Sequence, residues 1–368
     1  MAFTEKYVTA AATGLGSGSS ESDAWTLSQA HSNCAAGDRI NVKAGTYTLT
    51  SGLYTSKSGT DASPIAWRGY KTTIGDRDNE TTRQVSGTDI PKIVTNTSGG
   101  YFGFTGNYLQ FSRIAFETNT YNRPALYFRT ANSRAFHCQF LSTQAYARCI
   151  EIGYGQRQIV AYCEVELTYP TLAQVAMSGG NHHQFVGNTI KVASPDATCI
   201  NSGNYYANVV NNLCIGGATG CAISSAGNQR LVTGNTFVGS TVGLSLSGGN
   251  AVIQNNLFAN CTSGITASSS CESLIFSNAF YNVTTEYGSN VNPETGVFDS
   301  VTETSDPFVD AASNDYTLNS TALSVGSASP SKIRMFFTDN NADIGAVSAA
   351  SGGGGSGGGS TVHPLYAN

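Results

Sequence analysis

The chain has 368 residues, a formal net charge of −5 and only 12% charged residues, against roughly 25% in ordinary soluble proteins. This weakly acidic balance argues against a nucleic-acid partner, which calls for a clustered basic face. No apolar stretch is long enough for membrane insertion, and the start lacks the apolar segment of a signal peptide, so we expect folding in the cytosol without one.

Residues 1–50 are predicted to form an N-terminal cap and a first strand. Trp25, Leu27, Ala30 and Cys34 recur at helical spacing, which predicts a short amphipathic helix. A coil of stacked strands would expose core side chains and unpaired strand edges at its end. We therefore expect this helix to cover the first turn.

Residues 51–283 carry a repeat of roughly two dozen residues, which is typical of solenoids. An Asn followed two residues later by an apolar side chain recurs five times, and Ile114, Cys138 and Cys163 extend the register upstream. Each repeat holds short runs of β-branched and aromatic residues between Gly, Asn and Ser, which predicts strands joined by tight bends. The five asparagines are Asn188, Asn212, Asn235, Asn256 and Asn278.

These asparagines predict the geometry of a corner in every turn. Asn tolerates the left-handed backbone region, so we expect φ above zero at each of them. Stacked turns would place successive Asn side chains about 4.8 Å apart, close enough for a hydrogen-bonded ladder. The sequence thus predicts an all-β chain, a parallel β-helix of about 10–12 turns with a structural Asn ladder.

Several segments besides the Asn repeat resemble one known superfamily. Together with residues 36–47, 63–70, 305–310 and 342–346, the repeat resembles the right-handed parallel β-helix (pectate-lyase-like) superfamily, the fold of pectate lyases and many phage tailspikes. The resemblance covers nearly all of residues 5–347 and implies a right-handed solenoid. Because one scaffold hosts many activities, it specifies the fold and leaves the function open.

The C-terminal part is predicted to be irregular. Residues 284–347 lose the period and should close the coil, and residues 348–360 form a Gly/Ser linker. Residues 361–368 then form a tethered docking peptide for another subunit or for another virion or filament protein. The alternatives are a disordered tail and an engineered linker. The residues predicted to dock are Val362, His363, Pro364, Leu365 and Tyr366.

The nine cysteines are odd in number, and none stands in a C-x-x-C pair. Most lie in or beside apolar strands, where a thiol acts as a small core residue. We expect buried free thiols, with a disulfide or a metal site as the alternative, and folding in a reducing compartment.

Candidate catalytic groups are sparse. The glycosidases of this superfamily use two or three carboxylates, and Glu164 and Glu166 are the best acid pair, on one strand face. Two exposed strand carboxylates are ordinary, so no catalytic residue is predicted. His182 and His183 should point to opposite faces of a strand and cannot share a metal. Neither a cofactor nor a metal is predicted.

Tyrosines at bends of successive turns are more suggestive. Exposed phenols on a neutral surface rich in Asn and Ser fit sugar stacking or a protein contact, although half of them could be core residues. The predicted ligand-binding residues are Tyr154, Tyr169, Tyr205 and Tyr206.

Two classes of function remain. The first is a non-enzymatic structural or adhesive protein, such as a phage tail fibre, spike or capsid decoration, that displays its surface to a host glycan or protein. The second is a polysaccharide lyase or glycoside hydrolase. The lack of clustered carboxylates favours the first, with a homotrimer as the expected oligomer and a virion or another extracellular assembly as the expected location.

Overall fold

Three parallel β-sheets form the body of the molecule and enclose one hydrophobic core. The computed structural model describes residues 3–319 except for 14–15, 80–84, 97–99, 130, 154–156, 172–174, 180–181, 204–205, 224–229, 248–249, 270–272, 292–296 and 299. In the described ranges, sheets A, B and C contain 12, 11 and 10 strands.

The strands of each sheet follow one another at intervals of one turn. Sheet A consists of β1 (Thr4–Val8), β2 (Asp38–Lys43), β5 (Ile65–Tyr70), β8 (Leu109–Ser112), β11 (Arg134–Phe136), β14 (Gln158–Ala161), β17 (His183–Val186), β20 (Asn208–Val210), β23 (Arg230–Thr233), β26 (Ala251–Gln254), β29 (Leu274–Phe276) and β32 (Val297–Phe298). Sheet B consists of β3 (Thr46–Leu49), β6 (Lys92–Thr95), β9 (Ala115–Thr118), β12 (Gln139–Ser142), β15 (Glu164–Leu167), β18 (Thr189–Val192), β21 (Leu213–Ile215), β24 (Thr236–Val238), β27 (Leu257–Ala259), β30 (Ala279–Tyr281) and β33 (Val301–Glu303). Sheet C consists of β4 (Leu53–Thr55), β7 (Phe102–Phe104), β10 (Pro124–Phe128), β13 (Arg148–Ile152), β16 (Val175–Gly179), β19 (Thr198–Ser202), β22 (Thr219–Ile223), β25 (Val242–Leu246), β28 (Ser263–Ala267) and β31 (Thr285–Tyr287).

Among the described residues, four elements lie outside these sheets. They are the helix α1 (Leu27–Asn33), a 3₁₀ helix (Ala311–Ser313), and the strands β34 (Phe308–Asp310) and β35 (Asp315–Leu318), which form an antiparallel hairpin. In the described part of the chain, no helix is both long and apolar enough to cross a membrane.

The fold is the predicted parallel β-helix. Ten turns supply a strand to every sheet, from β2–β4 to β29–β31, so nine full turns separate the first set from the last. The ten lie at the lower end of the predicted 10–12. The coil extends beyond the predicted range of 51–283 in both directions, because β1 already pairs with β2 and β33 still pairs with β30.

The Asn residues form a buried ladder between sheets A and B. Asn212 Nδ2 donates to Asn235 Oδ1 at 3.0 Å and to the carbonyls of Phe185 and Val210 at 2.8 and 3.1 Å. Asn212 Oδ1 accepts from the side chain and the backbone of Asn188 at 2.9 and 3.0 Å. Amide-to-amide bonds of 2.9–3.0 Å continue through Asn256 and Asn278. Each ladder amide therefore joins neighbouring turns.

The prediction of φ above zero at the ladder asparagines is wrong, because the residue before each of them adopts this conformation. The left-handed residues are Gly187, Asn211, Gly234, Asn255 and Ser277, with φ between 52° and 65°. The left-handed residue bends the chain at the corner, and the ladder Asn, which directly precedes the next strand, directs its amide inward. The two roles fall on adjacent positions.

Thiols take the ladder position in two earlier turns. Cys163 Sγ lies 3.2 Å from the carbonyl oxygen of Ala161, and Cys138 Sγ lies 3.4 Å from that of Phe136. Both contacts reach two residues back, as the ladder amides do. The backbone N–H of Cys163 also donates to Asn188 Oδ1 at 3.0 Å and so caps the ladder.

The eight cysteines that the structure describes are free and buried, as expected, and Cys271 lies outside the described residues. Burial raises the pKa of the Cys34 thiol to about 12 and that of Cys261 to about 11. These thiols are core residues rather than nucleophiles at neutral pH.

The apolar residue two positions after each ladder Asn points into the core. Phe237, Phe258 and Phe280 stack on one another with ring centroids 5.2 Å apart and interplanar angles of 21° and 12°. Phe116 and Phe140 stack in the same way at 5.6 Å in the earlier turns. Equivalent side chains in successive turns thus pack face to face along the axis.

The predicted helix is present as α1, and it begins two residues after Trp25. Thr26 caps it, because its hydroxyl accepts from Gln29 N at 3.2 Å. His31 is buried and its Nε2 lies 3.1 Å from the carbonyl oxygen of Gly103 in sheet C. This contact anchors the helix to the coil, and its role as a cap stays a prediction.

The C-terminal hairpin packs on the outer face of sheet B. Phe308 and Leu318 form a second hydrophobic cluster with Val238, Leu257 and Ala279, which belong to three successive turns. The hairpin therefore covers the apolar part of this face.

Candidate functional site

One column of outward residues in sheet C carries a group of aromatic and charged side chains. The strand register aligns Tyr54 with Gly103, Gly103 with Tyr127, and Tyr127 with Glu151. Because strands of a sheet are about 4.8 Å apart, these positions form one line along the coil axis. Their alternate neighbours on each strand point into the core.

Tyr101 fills the gap that Gly103 leaves in this column. A Cβ placed on Gly103 would lie 2.6 Å from Tyr101 Cε2 and 3.0 Å from Tyr54 Cδ2, so only glycine admits the ring here. The centroid of Tyr101 lies 5.5 Å from that of Tyr54 and 5.1 Å from that of Tyr127. The three rings form a compact cluster, in which Tyr54 is 51% exposed.

Arginines flank the aromatic cluster on both edges. The guanidinium of Arg123 lies 5.7 Å from the ring centroid of Tyr101, and that of Arg129 lies 5.7 Å from the centroid of Tyr127. Arg148 donates to Glu151 Oε2 at 2.6 Å on the next strand. Guanidinium groups over aromatic faces remain able to donate to a carboxylate from their edges.

We call this set the aromatic–arginine patch. It comprises Tyr54, Tyr101, Tyr127, Arg123, Arg129, Arg148 and Glu151. Three arginines against one glutamate give the patch a formal charge of +2, although the whole chain carries −5. Burial raises the pKa of Tyr101 and Tyr127, and the nearby arginines lower it by less. The phenols therefore stay protonated at neutral pH.

Beyond Glu151 the same column becomes small and neutral. Ser178, Asn201, Ala222, Ser245 and Thr266 follow in register along the next five strands. This track continues the patch as a flat polar surface without charged side chains.

Of the four tyrosines predicted to bind a ligand, Tyr154 and Tyr205 lie outside the described residues. Tyr169 lies in the turn before sheet C, and Tyr206 lies in a turn after it, stacked on His182 at 4.5 Å and 44% exposed. Because all strands of sheet C run parallel, the turn before β16 lies at the N-terminal ends of the strands and the turn after β19 lies at their C-terminal ends. The two described tyrosines flank the column without belonging to the patch.

Sequence reasoning missed the patch as a unit. The tyrosines predicted to bind a ligand include neither Tyr101 nor Tyr127, and Tyr127 lies within β10 and not at a bend. A signal was present, because Gly103, Tyr127 and Glu151 stand 24 residues apart, which is the repeat of neighbouring turns. Tyr54 precedes Gly103 by 49 residues, so a single turn with a long insertion hides its place in the column.

The acidic candidates have structural roles or exposed positions. Asp306, Asp310 and Asp315 each accept a hydrogen bond from the backbone N–H of a residue two or three positions later in the chain. Glu164 and Glu166 share the outer face of β15, as expected. No group of three or more His, Cys, Asp or Glu is arranged to hold a metal in the described part of the chain.

The paired histidines point apart. His183 is buried, with Nε2 3.2 Å from Ser202 Oγ, while His182 stacks outward on Tyr206. The two side chains point apart as expected, but His182 lies in the bend before β17 with a φ of 51° and not on the strand itself. The predicted docking residues Val362, His363, Pro364, Leu365 and Tyr366 lie outside the described residues.

A family model described as periplasmic copper-binding protein (NosD) matches residues 152–299, which is less than half of the chain. The described residues of this segment offer no cluster of three or more His, Cys, Asp or Glu that fits a copper site, so no chemistry is derived from that metal. No curated protein matches the chain.

The chain is similar to several solved polysaccharide lyases. Pectate lyase Pel9A is 14% identical with a TM-score of 0.64, and the alignment covers 95% of this chain and 97% of that one. A rhamnogalacturonan lyase is 10% identical with a TM-score of 0.50, over 81% and 87% of the two chains. A variant of the PL6 family alginate lyase AlyGC is 17% identical with a TM-score of 0.51, over 70% of this chain and 37% of that one. These similarities show the fold, a right-handed parallel β-helix of the pectate-lyase-like type.

Proposed function

We propose that this protein is a glycan-binding β-helix protein that holds an acidic polysaccharide along the outer face of sheet C. The observation that carries the proposal is the aromatic–arginine patch, with three clustered tyrosines between exposed arginines. Aromatic rings offer apolar faces to the C–H face of a sugar ring, and guanidinium groups bind carboxylates through paired hydrogen bonds. A uronic-acid polymer presents both features.

The neutral track supports a binding surface longer than one sugar. Five aligned strands beyond Glu151 present Ser, Asn, Ala, Ser and Thr in one straight column. Small side chains leave room for a polymer parallel to the coil axis, and their hydroxyl and amide groups can hydrogen-bond to sugar hydroxyls. The aromatic–arginine patch would then bind the carboxylates of the polysaccharide at one end of the face. The column from Ser178 to Thr266 would bind the sugar units that follow.

Binding without cleavage is favoured by the protonation of the patch. A lyase needs a base that removes a proton near neutral pH. Burial raises the pKa of Tyr101 and Tyr127, which makes both phenols poor bases there. Glu151 is held by Arg148 at 2.6 Å. Tyr101, Tyr127 and Glu151 are therefore poorly suited to act as that base, which supports binding without lyase cleavage.

Calorimetric titration with an oligomer of galacturonic acid and with its neutral methyl ester tests the proposal. We expect the acid to bind at least about tenfold tighter than the ester, a difference of about 1.4 kcal/mol. Arg129→Ala should remove most of this preference, while Arg134→Ala on sheet A is the matched control and should keep it. Equal affinities for acid and ester would overturn the proposal.

The same titrations distinguish binding from catalysis. Ultraviolet absorbance of the mixture after a day at 37 °C would report unsaturated sugar products, and a reducing-sugar assay would report hydrolysis. We expect no release above that of a blank without protein. Product release that Tyr127→Phe or Glu151→Gln abolishes would instead assign an enzyme to this face.

Location and assembly remain proposals. A protein that displays a polysaccharide-binding face belongs outside the cytoplasm, and the resemblance of residues 152–299 to a periplasmic family is consistent with a periplasmic or extracellular location. A virion location, a homotrimer and docking through residues 361–368 stay predictions from the sequence. Light scattering of the full chain and of a chain that ends at Val347 tests the last two, because loss of the oligomer on truncation is the expected result.

A further inference from the structure

A cavity lies on the outer face of sheet B, whereas the aromatic–arginine patch lies on sheet C. Its floor is formed by β12, β15 and β18, and one wall is formed by Val85 and Ser86 from the segment before β6. The cavity has a volume of about 380 Å³, which falls near the lower end of the range for small-ligand sites. It can hold one or two sugar rings.

The wall of this cavity is fixed by charge pairs. Asp89 Oδ2 accepts from the backbone N–H of Val85 at 3.2 Å, and Asp89 Oδ1 lies 2.7 Å from Lys71 Nζ and 3.5 Å from the guanidinium of Arg77. Two cations thus hold the carboxylate that positions Val85. The cavity is preformed rather than created by a ligand.

The floor presents polar groups in two aligned rows. Gln139 lies opposite Glu164, and Leu141 lies opposite Glu166, which in turn lies opposite Lys191. Gln139 Nε2 donates to Glu164 Oε2 at 3.1 Å and so orients that carboxylate across the floor. Carboxylates, an amide and an ammonium beside the apolar groups of Val85 and Leu141 match the mixed surface of a sugar ring.

The charge of the cavity is opposite to that of the patch. Glu164 and Glu166 against Lys191 leave a formal charge of −1 on the floor, whereas the patch carries +2. A uronate would meet a surplus of negative charge here, while a protonated amine would meet a carboxylate and strengthen its hydrogen bonds. The ligand class therefore differs between the two faces.

We propose that the cavity on sheet B binds an amino sugar, with Glu164 and Glu166 as the groups that receive its ammonium. Val85 and Leu141 pack against the ring, and Gln139 and Lys191 bind its hydroxyls. The proposal is independent of the acidic polysaccharide on sheet C. Together the two sites would let one coil bind acidic and amine-bearing glycans on different faces.

Calorimetric titration with the β-1,4-linked glucosamine trimer and with its fully N-acetylated form at pH 6 tests the proposal, because the two differ in the amine charge. We expect the free amine to bind at least about tenfold tighter. Glu164→Gln and Glu166→Gln should each reduce this preference severalfold. Glu117→Gln, on the same sheet but paired with Lys92 outside the cavity, is the matched control and should leave it unchanged.

A variant that binds the amine trimer more tightly shows that the changes in affinity do not result from damage to the fold. Lys191→Met removes the ammonium from the floor and should strengthen amine binding severalfold, which a misfolded protein cannot do. Arg129→Ala in the patch should not alter this affinity. Absence of binding by the amine trimer, equal affinity for the two trimers, or weaker amine binding in Lys191→Met would each overturn the proposal.

Discussion

Asn212 Nδ2 donates a hydrogen bond to Asn235 Oδ1 at 3.0 Å, although the two residues stand 23 positions apart in the chain. Both side chains are completely buried, so each amide finds its partners inside the coil, in its own turn and in the two adjacent turns. The ladder therefore transmits the loss of one side chain to the turns on either side of it.

Removing a central ladder amide should destabilise the coil. Asn235→Ala deletes the acceptor for the backbone and side chain of Asn212, and it deletes the donor to the carbonyl of Val209. Since an unsatisfied buried polar group costs about 1–3 kcal/mol, we expect the free energy of unfolding to fall by about 3 kcal/mol. Guanidinium unfolding followed by circular dichroism measures it. Asn201→Ala, on the outer face of sheet C, should change it by less than about 0.5 kcal/mol, and equal effects of the two would contradict the ladder.

Two glycines with the same backbone conformation should respond differently to alanine. Gly187 and Gly239 have φ of 63° and 68°. A Cβ on Gly187 would lie 2.7 Å from Tyr162 Cδ1, whereas a Cβ on Gly239 would meet nothing within 4 Å. We expect Gly239→Ala to cost about 1–2 kcal/mol for the left-handed backbone alone, and Gly187→Ala to cost more. In the double variant with Tyr162→Ala, the excess at position 187 should disappear from the unfolding free energy.

The buried histidine of α1 should make stability depend on pH. Burial lowers the pKa of His31 to about 4 from an ordinary value near 6.5. The unfolded chain then binds a proton below about pH 6.5 that the folded chain does not, so stability is complete above that value and falls as the pH drops toward 4. His31→Gln should flatten the unfolding free energy between pH 6.5 and 4. A parallel pH profile of the variant and the original protein would exclude this role.

The described cysteines should be inert in the folded protein. Burial raises the pKa of Cys149, Cys163 and Cys221 far above the ordinary thiol range, and all three are almost fully buried. We expect iodoacetamide at pH 8 to leave these thiols unmodified until guanidinium unfolds the chain. Peptide mass spectrometry after trypsin digestion measures the labelling. Modification of Cys163 without denaturant would show that the coil opens locally.

The aromatic cluster should depend on a single glycine. Gly103→Ala places a methyl group where the ring of Tyr101 lies, at 2.6 Å from Cε2, and should separate Tyr101 from Tyr54 and Tyr127. We expect binding of the galacturonic acid oligomer to weaken about tenfold while the melting temperature changes by only a few degrees. An unchanged affinity, measured by the same titration, would show that the rings do not act together.

The coil itself could be predicted from the sequence because the five ladder asparagines recur once per turn. Asn188 and the four asparagines after it each supply amide donors and a carbonyl acceptor to neighbouring turns, and their regular spacing makes the period visible in the sequence. The conformation of the corner could not be read in the same way. Gly187, Asn211 and Ser277 share a φ value but no side-chain chemistry, and so the left-handed position was assigned one residue too late.

The patch was harder to predict because its members follow the fold and not a motif. Gly103 is required only because the ring of Tyr101 lies over it. The residues next to Gly103 in the sequence do not predict that contact. Tyr54 comes one turn earlier but 49 residues before Gly103, since an insertion lies between them. Parallel register, which places Tyr54 opposite Gly103 despite that insertion, is a property of the stacked sheet.

The C-terminal hairpin has a mechanical consequence for the end of the coil. Phe308 and Leu318 pack in one hydrophobic cluster with Val238, Leu257 and Ala279, which belong to three different turns. A terminal turn of a solenoid would otherwise fray on its own, since it contacts a single neighbour. The hairpin links the turns that contain β24, β27 and β30 through one hydrophobic cluster. We therefore expect these three turns to unfold together. Under a pulling force on the C-terminus we therefore expect one large rupture, not a series of small steps.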